Sequence, residues 1–456
     1  MTFEVNRKRV VVVGGGRSGR AAAELLVSKG ADVVLSDTAP AMDGADALRA
    51  QGIAVELGPH RADLFASADL LVVSPGVPLE QDAIAAARAA GVPVIGEIEL
   101  ASRWLSGRVI AITGTKGKST TTTLAARMLT EAGFDVTAGG NLGTALSAQV
   151  AGSRPSSLHV VEVSSFQLEA TETFRPWIAV LLNLAPDHLD RHESFEAYGQ
   201  AKARVFMNQT PADWAVVNAD DPAALALARG ARARRFDFGV QAMVTPGISV
   251  DGGHIVRRSA ADTTPLLPIA SVRLPGRHLL SDVLAAAAVG SVAGVAPAAM
   301  RRAVEGFAGL EHALERVADI GGVKFVNDSK ATNVIAARRS IESFDRGVVA
   351  IMGGRFKGGD LADLRDAVAS RVDAIVAIGE ATPLIHAALS DVTAIHDAAS
   401  MSDAVTRAFA LARPGGIVLL APAAASFDMF RDYAERGRAF KNEVGKLEEV
   451  EKRRAT

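Results

Sequence analysis

An α/β protein of three domains is predicted, each a Rossmann-like or phosphate-loop-type sheet with flanking helices. Three observations predict it. Short β-branched runs alternate with Ala- and Leu-rich segments along most of the chain, the pattern of parallel strands joined by helical crossovers. Two glycine-rich turns, Gly14–Gly19 and Gly114–Gly117, each follow an apolar run and precede a helical one. The length of 456 residues exceeds what one hydrophobic core organises and suits about two to four domains.

The first block opens with a strand at Arg9–Val13, a glycine turn, a helix over Arg20–Lys29 and a second strand at Asp32–Ser36 that ends on Asp37; it finishes near Gly96. The second begins with a strand at Arg108–Thr113, turns through glycines into a helix over Thr120–Ala132, and extends to about Gly309. Within it, Leu158–Glu162 reads as a buried strand ending in an acid, Ile178–Leu184 as an apolar run, Tyr198–Asn208 as a helix, and the irregular stretch Val240–Ser271 as a β-rich insertion. The third block has strands at Val323–Val326, Val348–Met352, Ala374–Ile378 and, last, Ile417–Leu420. The Lys- and Glu-rich tail Lys441–Thr456 reads as a solvated helix or a frayed end.

Composition narrows the function classes. Hydrophobic residues make up 49% and charged residues 22%, an ordinary globular balance. A formal net charge of -2 gives no electrostatic reason to expect nucleic acid or an anionic membrane as partner. The absence of cysteine excludes disulfides, zinc–thiolate sites and thiol nucleophiles. The N-terminal apolar run is only four valines, too short for a signal peptide or a span, and no later stretch reaches the ~18 residues a membrane helix needs. A cytoplasmic, monomeric enzyme is the expectation.

The chemistry concentrates in the second block. Thr113-Gly114-Thr115-Lys116-Gly117-Lys118-Ser119-Thr120 follows a strand and opens a helix, so backbone N–H groups and a helix N-terminus face phosphate oxygens. Lys118 would reach the β- and γ-phosphates, and the Ser119 or Thr120 hydroxyl would face Mg²⁺. The first glycine of the general phosphate-loop pattern is replaced by Ile112, which argues against an ordinary motor ATPase or GTPase. Glu162, at a strand end, is the candidate carboxylate for magnesium. Polar groups crowd the segment Asn183–His192, which favours a site on a loop. Lys202, taken by itself, reads as a surface lysine.

In the first block, Gly14-x-Gly16-x-x-Gly19 with Asp37 eighteen residues farther on matches a dinucleotide fingerprint. Alone it favours NAD. A pyrophosphate from another ligand satisfies the same physics.

The shortened TGTxGKST loop is of the type carried by the Mur ligases and the folylpolyglutamate synthases, and the chain as a whole resembles the Mur ligases. The matching pieces are Ser74-Pro75-Gly76, the phosphate loop, Gly140-Asn141-Leu142-Gly143, Glu162 through Leu168, Asn183 with Asp187-His188, and Tyr198 with Ala201-Lys202. In the third block they are Asn327 through Asn333, Gly353-Gly354 with Lys357, and Ser426-Phe427-Asp428 with Phe430. The segment Asp328-Ser329-Lys330-Ala331-Thr332-Asn333 resembles the branch that adds D-glutamate, since other branches tend to carry an Asp-Tyr-Ala-His-type segment there.

The resemblance implies three domains: residues 1–97 for the UDP part of the substrate, 98–309 for ATP, and 310–456 for the incoming amino acid. It implies ATP-dependent joining of D-glutamate to UDP-N-acetylmuramoyl-L-alanine through an acyl phosphate, with ADP and phosphate released, in peptidoglycan precursor synthesis. Gly114, Thr115, Lys116, Gly117, Lys118, Ser119, Thr120, Asp282, Asp328 and Lys330 would then face ATP. Gly14, Arg17, Ser18, Asp37, Thr38, Ser74, Asn141 and Ser164 would face the UDP substrate, and Thr332, Lys357, Ser426, Phe427 and Tyr433 the D-glutamate. Two Mg²⁺ ions would be held by Ser119, Thr120, Glu162, His188 and Lys202, the last as a CO₂-derived carbamate. Lys118, His188, Lys202 and Glu162 form the implied catalytic set, and domain closure the expected way to assemble it.

Other readings compete. Another ADP-forming amide ligase is opposed by the 328–333 segment and by Gly353-Gly354 with Lys357. An NAD-dependent oxidoreductase leaves the phosphate loop unexplained, and a non-enzymatic ATP-binding regulator has no use for Glu162, His188 and Lys202. The chain also departs from its relatives. Where they usually read His-Asn-x-x-Asn, it has His278-Leu279-Leu280-Ser281-Asp282, and Ala313 stands where an Arg is common. An ionised Asp282 would add negative charge beside a polyanion, so Asp282→Asn is expected to lower the KM for ATP. Arg316, one helical turn beyond Ala313, is the candidate to replace the missing cation.

Overall fold

The computed structural model describes residues 3–141, 143–187, 191–272, 277–307, 309–356 and 358–455. By compactness the chain divides into two units, Met1–Arg273 with His278–Gly306, and Leu274–Arg277 with Phe307–Thr456.

The first unit holds three sheets. Strands β1 (Arg9–Val13), β2 (Asp32–Asp37), β3 (Ala54–Leu57), β4 (Leu70–Val73) and β5 (Val94–Gly96) form a parallel sheet in the order 3-2-1-4-5. The order reverses between β1 and β4, which places the turn after β1 at the crevice where such sheets take ligands. The second sheet contains β6 (Arg108–Thr113), β7 (Val136–Gly140), β8 (Leu158–Glu162), β9 (Ile178–Leu181), β10 (Trp214–Val217) and β11 (Arg234–Arg235), all parallel, in the order 11-10-9-6-8-7. Its strands β6, β8 and β9 are buried throughout except for the exposed first residue of β6. The region read as a β-rich insertion is a four-stranded sheet of β12 (Asp237–Gly239), β13 (Gly247–Asp251), β14 (His254–Arg258) and β15 (Thr263–Pro268), its last three strands an antiparallel meander.

The first two sheets share one apolar core. Ile98, Leu100 and Ala101 of the helix Glu97–Ser102 pack in the same cluster as Val10 and Leu26 on one side and Ala111 and Leu181 on the other. Polar bonds pin the same helix. Glu97 accepts from Ser147 N at 2.6 Å. Glu99, 0% exposed, accepts from the backbone N–H groups of Glu172, Thr173 and Phe174, the Thr173 hydroxyl and Arg103. Burial alone would raise the Glu99 carboxyl, but these donors outweigh it and hold the group below the ordinary glutamate value.

The second unit is one sheet of β16 (Glu315–Ile320), β17 (Val323–Asn327), β18 (Val348–Gly353), β19 (Val372–Ile378), β20 (Ala394–Ala398) and β21 (Ile417–Leu420), in the order 16-17-21-18-19-20. Only β16 runs antiparallel to its neighbour. Apolar clusters cover both faces.

The mixed α/β class is as predicted, and most strands fall where the β-branched runs place them. Three helix starts differ. The first helix is Arg17–Ser28, because the chain turns helical directly after Gly16. The phosphate-loop helix is Lys118–Glu131, and its threonine run is helical because Thr121 and Thr122 pack inward with Leu124, Ala125 and Met128. The helix predicted at Tyr198–Asn208 is Phe195–Ala203, started by the Ser194 side chain capping Ala197 N and ending in a 3₁₀ turn at Arg204–Phe206. The largest correction concerns the tail. A helix spans Tyr433–Ala455, capped by Asp432 accepting from Glu435 N at 2.7 Å, and Phe440 and Val444 lie in the core of the second unit. The Lys and Glu residues that suggest a solvated segment occupy its outer face.

Glu99→Ala is expected to destabilise the first unit by roughly 3 kcal/mol or more, since several buried donors lose a charged acceptor. Because the folded carboxyl sits below its ordinary value near 4.5, its contribution is present above that pH and is lost as pH falls through the folded value. Thermal melts of both proteins between pH 3 and 7 check this: the gap in Tm narrows toward acid, and a constant gap refutes the carboxylate as its source.

Candidate active site

The phosphate loop leaves the C-terminal end of β6 and enters the helix Lys118–Glu131. Gly117 takes φ 84°, and a Cβ there would lie 2.1 Å from Asp282 Oδ1, so both its conformation and its close neighbour require glycine. Asn183 clamps the loop, accepting from Lys116 N at 2.9 Å and donating to the Lys116 carbonyl at 3.0 Å. The Thr115 hydroxyl meets Tyr198 Oη at 3.1 Å and the Ala185 carbonyl at 3.2 Å, and Lys116 pairs with Asp187 at 3.3 Å. The loop is therefore tethered by the segments after β9, with its N–H groups at a helix start where anions bind.

Lys118 is not the exposed loop lysine its position suggests. It begins the helix, half-buried, and its Nζ donates to the carbonyls of Gly114 and Thr115, both at 3.0 Å. Lys202 departs further from expectation. It is 1% exposed, and its Nζ donates to the same Gly114 carbonyl at 2.9 Å. Its helix places Tyr198 one turn earlier on the same face, so both side chains reach the loop. Burial, then the nearby Lys118, pull the Lys202 amine well below the ordinary lysine value, and Asp187 and Glu162 restore only part. The result is a bias toward a neutral amine, the form that adds CO₂. Tyr198 is pushed up to about 12 by burial.

Glu162 ends β8 beside the loop. Its Oε2 accepts from Ser119 Oγ at 2.6 Å and its Oε1 from Asn141 Nδ2 at 2.7 Å. A serine hydroxyl and a carboxylate side by side form a hard-oxygen pair, and Thr120 lies next in the helix. Such a pair suits a hard cation that takes few protein ligands beside phosphate and water; among the described residues no group of three or more His, Cys, Asp or Glu side chains is gathered. His188 lies outside the described residues. Ser164 caps the helix Ser165–Glu169 through a capping box with Gln167. His192 stacks on Phe166 and bonds Ser165, Oγ to Nε2 at 2.9 Å.

In the first sheet, Gly14, Arg17 and Ser18 lie at the turn after β1, with Arg17 and Ser18 opening the helix. Ser74 donates to the Gly14 carbonyl at 2.9 Å, and Arg17 reaches the Asn141 carbonyl at 3.4 Å. Asp37 accepts from Gly15 N at 2.5 Å and Ala39 N at 2.8 Å, so it shapes the turn with the oxygens that a dinucleotide site would aim at a ribose. Thr38 is exposed beside it.

In the second unit the residues implied for D-glutamate lie on separate turns. Thr332 is half-buried and its N–H donates to the Lys330 carbonyl at 2.9 Å. Ser426 is buried, whereas Phe427 and Tyr433 are exposed. Lys357 lies outside the described residues. Asp328, expected toward the nucleotide, is buried; it accepts from Leu314 N and from the Ser340 hydroxyl, and burial raises it to about 6. Arg316 is on β16 rather than a helical turn past Ala313, and it faces Asp319 at 3.5 Å.

Asp282 lies on the helix Arg277–Val292, 5% exposed, behind the phosphate loop. Burial raises its carboxyl well above the ordinary aspartate value, and the Thr121 hydroxyl offsets a little of this. The shift runs toward the neutral acid, the opposite sense to the added negative charge expected beside ATP. The bonds of Asn183, Thr115 and Tyr198 to the loop escape sequence reasoning, although the i,i+4 spacing of Tyr198 and Lys202 is a signal that they share a target.

Comparison with known proteins covers nearly the whole chain. Three family models match: the Mur ligase MurD-like N-terminal domain over residues 8–96, the Mur ligase middle domain over 112–290, and the Mur ligase glutamate ligase domain over 314–424. The chain is 48% identical to a UDP-N-acetylmuramoylalanine–D-glutamate ligase of Acidobacterium capsulatum, with 97% of each covered, and 43% identical to that of Koribacter versatilis, with 99% and 100% covered. Among solved structures it resembles the UDP-N-acetylmuramate-alanine ligase of Thermotoga maritima (TM-score 0.60, 19% identity) and a pseudomurein peptide ligase of Methanothermus fervidus (0.59, 16%), each covering 97% of this chain and 100% of that one. At those identities the structural likeness speaks for the fold alone.

Asp282→Asn tests the buried acid. With its folded pKa raised above 3.8, the carboxyl contributes stability that is present below that value and is lost as pH rises toward the folded value. The asparagine variant lacks this loss, so its Tm should gain on the parent's as pH climbs from 4 to 8. A pH-independent difference would show that Asp282 is ionised throughout.

Proposed function

The chain belongs to the Mur ligase family, and on that premise we propose that it joins D-glutamate to UDP-N-acetylmuramoyl-L-alanine with ATP, releasing ADP and phosphate, in peptidoglycan precursor synthesis. The observation that carries the chemistry is the phosphate loop with Lys118, Lys202, Ser119 and Glu162 converging on it. The family uses ATP; Mg²⁺ and the carbamate belong to this proposal. The three-part division by role, with residues 1–97 for UDP, 98–309 for ATP and 310–456 for the amino acid, is part of it too.

The mechanism follows from charge. The substrate carboxylate attacks the ATP γ-phosphate in line, and the loop N–H groups and Lys118 hold the phosphoryl oxygens against the charge that builds there. Mg²⁺, held by Ser119, Thr120 and Glu162 with His188, would neutralise further phosphate charge. Lys202 as an ammonium would oppose a nearby cation; as a carbamate it would present oxygen anions to it. The amine of D-glutamate, positioned by Thr332, Lys357 and Ser426 with Phe427 and Tyr433, then attacks the acyl phosphate, and phosphate leaves. Gly14, Arg17, Ser18, Asp37, Thr38 and Ser74 hold the UDP end, with Asn141 and Ser164 nearer the reacting carboxylate. Fixing the reactants in one geometry supplies a proximity term of up to ~7–11 kcal/mol.

Phosphate release with UDP-N-acetylmuramoyl-L-alanine, ATP and Mg²⁺ is expected with D-glutamate and not with L-glutamate or L-lysine. Equal rates with all three would overturn the substrate assignment. Lys118→Ala should lose turnover by at least about a hundredfold, the scale of one lost electrostatic contact to a transition state. Lys202→Ala should be nearly inactive yet regain part of its rate in added acetate, whose carboxylate can occupy the vacated space. An active, acetate-indifferent Lys202→Ala enzyme would rule the carbamate out.

A further inference from the structure

Arg436 lies in the first turn of the helix Tyr433–Ala455 and is 2% exposed. Its guanidinium donates four times: Nε to Ser329 Oγ at 3.0 Å, Nη2 to the Ser329 carbonyl at 3.0 Å, and Nη1 to the carbonyls of Ala424 at 3.1 Å and Gly353 at 3.3 Å. These acceptors come from three segments far apart in sequence. Ser329 begins the turn that carries Thr332, Gly353 ends β18 four residues before Lys357, and Ala424 stands two residues before Ser426. One buried side chain thus ties together the three segments on which the amino-acid pocket is placed. Ser329 Oγ also donates to the Tyr433 carbonyl at 2.7 Å, closing the bond set back onto the same helix.

Two further features show that the bay is built for this side chain. A Cβ on Gly354 would lie 2.1 Å from the Ala425 carbonyl and 3.0 Å from Arg436 Nη1, so only glycine lets the strand end approach. All four acceptors are uncharged, and among the described residues no carboxylate hydrogen bonds to the guanidinium. Asp428 is the acid whose field reaches it; burial draws the group down to about 10, which leaves it cationic at neutral pH. A clip needing only geometry could be made from neutral donors. A buried cation without a bonded counter-ion projects positive potential through a low-dielectric surround, and a substrate with two carboxylates benefits from it.

We propose that Arg436 is a positioning residue for the amino-acid substrate, holding the Ser329, Gly353 and Ala424 segments in register and lending the pocket a positive charge suited to a dicarboxylate. The assignment rests on the functional reading above. It adds a residue that acts through others rather than touching the reacting atoms.

The test compares Arg436→Lys, which keeps the charge and loses most of the bonds, with Arg436→Met, which keeps the stem and loses both. The KM for D-glutamate is expected to rise about tenfold in the lysine variant, which loosens the clip, and about a hundredfold in the methionine variant, which also removes the charge. The KM for ATP should stay within about twofold and kcat at saturating D-glutamate within about threefold, because the phosphate loop is untouched. Equal rises in both KM values, or a lysine variant no better than methionine, overturns the assignment. If the methionine variant fails to show a folded thermal transition, the lysine variant decides alone by the same split. An unmodified enzyme that releases no phosphate with D-glutamate overturns the functional reading, and this assignment with it; normal wild-type turnover with an unshifted Arg436→Lys overturns the assignment only.

Discussion

The carbonyl of Gly114 accepts from two amines, Lys118 at 3.0 Å and Lys202 at 2.9 Å. Two ammonium groups cannot share one buried acceptor without a large repulsion, so the arrangement selects against the charged form of the more buried amine. Everything around the loop is consistent with this constraint. Asn183 and Tyr198 fix the loop so that it cannot relax by moving the carbonyl away, and Asp187 and Glu162 supply negative charge without a direct bond to Lys202. Loop, buried amine and the Glu162–Ser119 pair therefore form one coupled set, in which moving any member changes the field at the others.

The second unit solves a related problem with a different residue. Arg436 is also buried and also donates to main-chain carbonyls, yet its charge persists, because guanidinium delocalises the charge and resists deprotonation where an amine yields. Lysine therefore stands where burial and a second amine draw the group's pKa down. Arginine stands where a permanent cation organises neutral backbone. Exchanging the two residue types would undo both sites while leaving net charge unaltered.

Much of this was legible in the sequence, and the limits follow a physical pattern. Strands of the parallel sheets could be read because burial on both faces demands continuous β-branched runs, as at Val10–Val13 and Val348–Met352. The phosphate loop could be read because backbone geometry there dictates residue type. The burial of Lys202 could not be read, since a lysine between two alanines suits a helix surface as well as a core and its partner is eighty-eight residues away. Arg436 was hidden for the same reason, within a helix whose exposed Lys and Glu residues dominate its composition. The upward shift of the Asp282 carboxyl was equally hidden, because an aspartate in sequence carries its solution pKa and only packing reveals burial.

The first sheet shows how far a motif can specify a ligand. Gly14, Gly16 and Gly19 sit where a dinucleotide fingerprint requires them, and the strand order 3-2-1-4-5 is that of a doubly wound dinucleotide-binding sheet without its sixth strand. The acid that completes the fingerprint nevertheless spends its two oxygens on Gly15 N and Ala39 N. It stabilises the turn that aims a helix start at phosphate, and it is less available to a ribose hydroxyl. The glycines and the helix N-terminus recognise a pyrophosphate whatever is esterified to it, whereas discrimination among uridine, adenine and nicotinamide must come from side chains outside the motif. The same turn chemistry therefore serves a nucleotide-linked substrate as readily as a redox cofactor, and only the rest of the chain decides between them.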